Sequence, residues 1–136
     1  MILGVDYGRR RVGVAAADLE TRFARPLEVI DTRQMDPVAR IAELAAANHA
    51  TEVIVGRPVG LSGRAGPAVE EQAAFTERLR EALEVPVAEY DERLTTVVAD
   101  QRLRAVGVKQ RHRRSRRDAV AAQVMLQGYM DSRPWH

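Results

Sequence analysis

An α/β fold, with a mixed five-stranded sheet and helices on both faces, is what this sequence predicts. Two observations carry the prediction. Three strand-like segments open the chain before any helical period appears, and helical and strand patterns then alternate up to a fifth strand, after which two helices follow. The 136 residues, 46% of them apolar, suit a single domain over residues 1–136 built on one core.

Taken in order, Ile2 to Tyr7 reads as a strand, Gly8 to Arg10 as a turn, and Arg11 to Ala17 as a second strand closing a hairpin. Pro26 to Asp31 is a third strand, whose alternation sets Leu27, Val29 and Asp31 on one side and Glu28 and Ile30 on the other. These three form an antiparallel meander. A helix start follows, with Asp36 as N-cap and Pro37 at the first helical position, and Val38, Ile41, Leu44 and Ala45 recur at helical spacing. Glu52 to Gly56 is a buried strand, and the segment RPVGLSGRAGP after it is a loop. A helix over AVEEQAAFTERLREAL directs Val69, Phe75, Leu79 and Leu83 to one face, and Pro86 to Tyr90 forms a fifth strand. Thr95 or Thr96 caps a further helix to about Val106, with Gly107 as its stop. Ser115 opens a last helix that offers Ala119, Ala122, Met125, Leu126 and Tyr129 to the core. A meander followed by αβ units, joined by right-handed crossovers, is the plan of a ribonuclease H-like fold. A fold does not name a function.

Composition narrows the chemistry. Without cysteine there is neither a thiolate nucleophile nor a zinc-thiolate site. No apolar run reaches the length of a membrane span and no leader pattern opens the chain, so the expectation is a cytoplasmic protein with no membrane partner. The net charge of +2 hides a division: residues 1–100 carry 12 Arg against 17 acids, residues 101–136 carry 9 Lys plus Arg against 2. The basic part centres on Lys109, Arg111, Arg113, Arg114, Arg116 and Arg117, a density that attracts polyanions or forms a solvated basic loop. This run leads into a helix, which favours the first alternative. With 4% aromatic residues a stacking platform for single strands is poorly supported.

Asp6 stands in the first apolar strand, where burial demands a partner, a metal or a hydrogen-bond network. If that strand is central, Asp6 lies at its carboxyl end, where open α/β sheets place ligands. A metal needs further hard oxygen ligands. Asp91 and Glu92, at the end of the fifth strand, leave it on opposite faces, and spacing alone does not choose between them. Asp118 is a third candidate, although Ser115 with Asp118 also fits a capping box at a helix start. None of the histidines at positions 49, 112 and 136 falls in an acid block, though His112 can touch phosphate.

The stretch from Gly4 to Gly8, Arg10 to Ala15 with Asp18, Val55-Gly56 with Pro58 and Gly63, Asp91-Glu92-Arg93 with Thr95-Thr96, and Asp118, Ala121, Ala122, Leu126, Gln127 and Tyr129 together resemble the YqgF/RuvX family. That family is described as Holliday-junction resolvases and as nucleases that mature the small-subunit ribosomal RNA precursor. The resemblance runs from residue 2 to about 131. It implies a ribonuclease H-like nuclease with Asp6, Glu92 and Asp118 as catalytic ligands of Mg²⁺ or Mn²⁺. Two positions depart from pattern: Arg57 stands where the family usually has an apolar residue, and Ala121 where a related resolvase family has a further acid.

The expected reaction is hydrolysis of a phosphodiester in branched DNA, such as a four-way junction, or in structured precursor rRNA. Arg9, Arg10 and Arg11 would form a basic tip beside the acids, Arg57 would add a positive charge near the site for nucleic acid, Gly8 would let the backbone approach the substrate, and the basic run from Lys109 to Arg117 would hold phosphates on either side. Paired incisions would require a homodimer. Two readings compete: a nucleic-acid-binding protein without catalysis, and an actin-like ATPase, which clamps nucleotide between two such domains.

Overall fold

The computed structural model describes residues 1–57, 67–91 and 110–132. Their element order is β1 (Ile2–Asp6), β2 (Arg11–Ala17), β3 (Ala24–Asp31), α1 (Pro37–Ala47), β4 (Glu52–Arg57), α2 (Pro67–Ala82), β5 (Val87–Asp91) and α3 (Gln110–Ser132). The five strands form one sheet in the order β3-β2-β1-β4-β5. The β1–β2 and β2–β3 pairs are antiparallel, and β1–β4 and β4–β5 are parallel. The central place expected for the first strand is therefore observed. The helix predicted from Thr95 or Thr96 lies outside the described residues.

Two apolar layers sandwich the sheet, because alternate residues of each strand leave on opposite faces. One layer joins Leu3, Val5, Val12, Val14, Val53 and Val55 to α1 and α2 through Val38, Ile41, Leu44, Phe75 and Leu79. The other joins Ile2, Ala15, Ala17 and Ile54 to Ala122, Met125, Leu126 and Met130 of α3. In α1 the residues expected inward are the buried ones, and Asp36 caps the helix by accepting from the Val38 N–H at 3.3 Å. On α2 the buried stripe includes two polar residues that periodicity missed: Gln72 Nε2 donates to Thr76 Oγ1 at 2.9 Å, and Thr76 Oγ1 donates to the Gln72 carbonyl at 2.9 Å.

Two expectations need correction. The alternation predicted for the third strand fails because the β2–β3 register shifts between Val14 and Ala15, which pair with Glu28 and Pro26. Leu27 is the extra residue of this bulge, and it packs in the same layer as Ile30 instead of opposite it. The last helix starts at Gln110, five residues before Ser115, and has no acid in its first turn. Arg and Gln are good helix formers, so the arginine-rich run from Gln110 extends the helix. The capping-box reading of Ser115 and Asp118 falls with it, since both lie in the helix interior.

Candidate active site

The sheet edge formed by the carboxyl ends of β1, β4 and β5 gathers chemistry-bearing positions. Asp6 ends β1 and pairs with Gly13 of β2. It shares a face with Ile2 and Gly4, so it is on the α3 side, and it is half-buried. One step beyond the Val5–Val55 pair, β4 has Gly56, of the same parity as Ile54. On this face both strands flanking Asp6 thus present a glycine at the position beside it. Gly56 pairs with Tyr90, and Arg57, whose backbone closes β4, pairs with Asp91.

Helix α3 reaches this edge because it packs very closely at the middle of β1. A Cβ on Gly4 would lie 2.8 Å from the Leu126 Cβ, so only glycine admits the helix at that depth. The C-terminal half of α3 is fastened to the start of β3. Gln127 Oε1 accepts from the Ala24 N–H at 2.8 Å and Nε2 donates to the Arg22 carbonyl at 2.8 Å, while Gln123 Nε2 donates to the Ala24 carbonyl at 3.0 Å. Arg22, in a left-handed conformation with φ 61°, turns its guanidinium to donate to the Met130 carbonyl. With Met130 and Gln127 over the start of the sheet and Leu126 over Gly4, the helix runs toward its N-terminus as β1 runs toward Asp6. Asp118, two turns before Leu126, is about 12 Å along the axis in that direction. Arg111, Arg113, Arg114, Arg116 and Arg117 occupy the helix beyond it, whereas Glu92 and Lys109 lie outside the described residues.

The three arginines of the hairpin tip do not form one cluster. Arg9 is drawn to the α2 side, where its Nη2 and Nε bond the Glu71 carboxylate at 2.7 and 3.1 Å. That hydrogen bond, followed by the Glu71 charge, raises the guanidinium pKa above its ordinary value. Arg10 is exposed. Arg11 pairs with Asp31 and has the parity of Gly13, so it flanks Asp6 on the α3 face. Gly8 serves the turn itself: a Cβ there would lie 2.5 Å from the Arg11 carbonyl oxygen. Tyr7 was not singled out from the sequence, yet its ring packs on Phe75 with centroids 4.5 Å apart. Its signal was its place next to Asp6, which sends it to the other face.

Among the described residues no group of three or more His, Cys, Asp or Glu could by itself hold a metal ion. Asp6 supplies a carboxylate, a hard oxygen donor, in a half-buried position at this edge, a donor type that suits a hard cation. Nor is any helix among the described residues long and apolar enough to cross a membrane.

A family model described as "RuvX: Holliday junction resolvase" matches residues 1–132. A "Putative pre-16S rRNA nuclease" of Chloroflexus aggregans (strain MD-66 / DSM 9485) is 42% identical over 133 residues, 97% of this chain and 94% of its own. One of the same name from Anaeromyxobacter dehalogenans (strain 2CP-C) is 44% identical over 132 residues, 96% of each chain. Among solved structures, "T. thermophilus RuvC in complex with Holliday junction substrate" superposes with a TM-score of 0.57 at 17% identity, covering 95% of this chain and 94% of that one. "Thermus thermophilus RuvC structure" gives 0.55 at 17%, covering 96% of each. At that identity the likeness establishes the fold, which is ribonuclease H-like.

Proposed function

The chain belongs to the RuvX family, and from that premise we propose that it is a metal-dependent endonuclease of one domain, hydrolysing phosphodiesters in structured nucleic acid with Asp6, Glu92 and Asp118 as its acids. The observation that carries the reading is Asp6 at the carboxyl end of the central strand, on the face that α3 covers, with glycines on both neighbouring strands.

Strand parity supports Glu92 over Asp91. Ala88 and Tyr90 pack with the α3 layer and Val87 with the other, so an acid delivered to the side of Asp6 belongs to an even position. Asp118 is favoured because the helix extends about two turns to its N-terminal side, which removes capping as its explanation. Bound Mg²⁺ or Mn²⁺ would supply activation of water and stabilisation of the charge that develops on the phosphate. The three carboxylates would hold the cation. Arg11 and Arg57 would offset negative charge at the edge, and Arg10, Lys109 and the arginines of α3 would position the backbone without reading its sequence. Arg9, already engaged by Glu71, belongs to the opposite face.

The substrate proposed is precursor rRNA of the small subunit, after the names of relatives that share over 40% of the sequence, with four-way DNA junctions as the second reading carried by the family description. On the second reading the protein acts as a homodimer in the cytoplasm. Cleavage of both substrates by the protein and by Asp6→Asn, in Mg²⁺, Mn²⁺ and chelator, tests this. Metal-dependent cutting of the RNA, absent from the variant, is expected; paired symmetric nicks in the junction alone would select the second reading. Binding of both substrates without cutting would overturn the nuclease assignment in favour of a binding protein.

A further inference from the structure

Opposite the face that carries Asp6, the same sheet edge holds a groove of about 650 Å³ between the β1–β2 turn, the β3–α1 connection and α2. Its rim carries three guanidiniums, Arg9, Arg33 and Arg78, and its lining includes Tyr7 and Phe75, whose rings lie 35° from parallel. Resting on the reading that this chain acts on nucleic acid, we propose that the groove binds an unpaired nucleotide next to the cleavage point, its base against Tyr7 and its phosphates on Arg9, Arg33 and Arg78.

Four features converge on that ligand. The volume lies within the range of small-molecule sites. Each guanidinium already receives an oxyanion: Arg9 from Glu71 at 2.7 Å, Arg33 from Asp31 at 3.5 Å and Arg78 from Asp36 at 3.1 Å. The two-point contact of Arg9 with Glu71 is the geometry a phosphate would adopt, and planar guanidinium suits it better than ammonium. The arginine side chains are 73%, 68% and 57% exposed, so the existing pairs contribute little to stability and the guanidiniums can be reached from solvent.

Position supplies the remaining feature. Asp6 and Tyr7 are consecutive, with Cα atoms about 3.8 Å apart, and leave the chain on opposite faces. A strand with one phosphate at Asp6 therefore needs only to pass over the sheet edge to bring its next nucleotide to Tyr7. Stacking on a ring requires a free base face, which a continuous duplex does not offer. The groove thus selects substrates that are single-stranded beside the cut.

The test uses the full chain in chelator, so that cleavage does not enter. Twelve-nucleotide RNA and DNA single strands containing 2-aminopurine, and their duplexes, are titrated by anisotropy over a range of salt, with base fluorescence read in parallel. Quenching on binding is expected with the protein and with Tyr7→Phe, and its loss in Tyr7→Leu. Arg33→Ala with Arg78→Ala should weaken single-strand binding about tenfold and reduce the salt slope by about 1.4, two contacts at about 0.7 each. Equal behaviour of RNA and DNA would support contacts to base and phosphate alone; tighter RNA binding with the same variant losses would support the groove and identify RNA as its ligand. An unchanged slope in the double variant, quenching that survives Tyr7→Leu, or equal losses with duplex would overturn the proposal. Because binding is read without metal, a protein that quenches but never cleaves keeps the groove and loses the nuclease reading.

Discussion

Gly4 of the central strand and Leu126 of α3 meet so closely that a methyl group on the glycine would sit 2.8 Å from the Leu126 Cβ and 3.2 Å from its Cδ2. The first of these atoms is tied to the helix backbone and cannot swing away. Gly4→Ala must therefore push α3 off the sheet, at a cost of about 1–3 kcal/mol. Denaturant titration is expected to show that loss, and cleavage measured well below the melting temperature should fall further than the change in folded fraction explains, since α3 carries Asp118.

Asp6→Asn keeps the size of the side chain and removes its charge. Its expected effect is a loss of metal-stimulated cleavage of about a hundredfold or more, with nucleic-acid binding in chelator unchanged within a factor of about three. Single-turnover cleavage and anisotropy measure the two separately.

Because α3 begins at Gln110, Ser115 is an interior helical residue and not a cap. Ser115→Ala is expected to change stability by less than about 0.5 kcal/mol, whereas loss of an N-cap would cost about 1 kcal/mol. Chemical denaturation of this variant distinguishes the two, and Asp118→Asn, compared with it, should lose cleavage.

Asp36 holds two roles, capping α1 and pairing with Arg78 at 3.1 Å across the groove. Asp36→Ala should cost about 1 kcal/mol, chiefly through the cap. Asp36→Asn retains a capping oxygen and loses only an exposed ion pair, so most of that stability should return. Thermal melts of the two variants side by side check the difference.

Glu28 receives Arg40 at two points, Nε and Nη2 each at 2.7 Å, and this hydrogen bonding holds its carboxyl below the ordinary value of 4.5. A depressed carboxyl pKa stabilises the fold above pH 4.5 and ceases to do so as pH falls through the folded value. The stability gap between the protein and Arg40→Ala should therefore be widest near neutrality and close below pH 4.5. Both side chains are about a third exposed, so the gap at neutrality is held to about 1 kcal/mol by solvent screening. Urea titrations from pH 7 to pH 3 measure it.

Local pattern in the sequence placed the described elements, apart from the start of α3, together with the inward face of α1. Apolar spacing reports burial of one face of a helix or strand, so Val38, Ile41, Leu44 and Ala45 in α1, and Ala122, Met125 and Leu126 in α3, were legible before any contact was known. The Asp36-Pro37 start was equally local, because a cap acts within two or three residues of itself. Of the candidate acids, Asp6 was legible through a conflict between its charge and its apolar neighbours.

Tertiary structure alone decided matters of register and approach. The bulge at Leu27, the pairing of Asp6 with Gly13, and the depth at which Gly4 admits Leu126 depend on residues distant in the chain, and a one-residue slip would have reversed each face. The same holds for Arg9: sequence placed it with Arg10 and Arg11, while Glu71, 62 residues away, draws it to the opposite side. Local pattern states which surface of an element avoids water; which surfaces then meet is settled by packing among all of them.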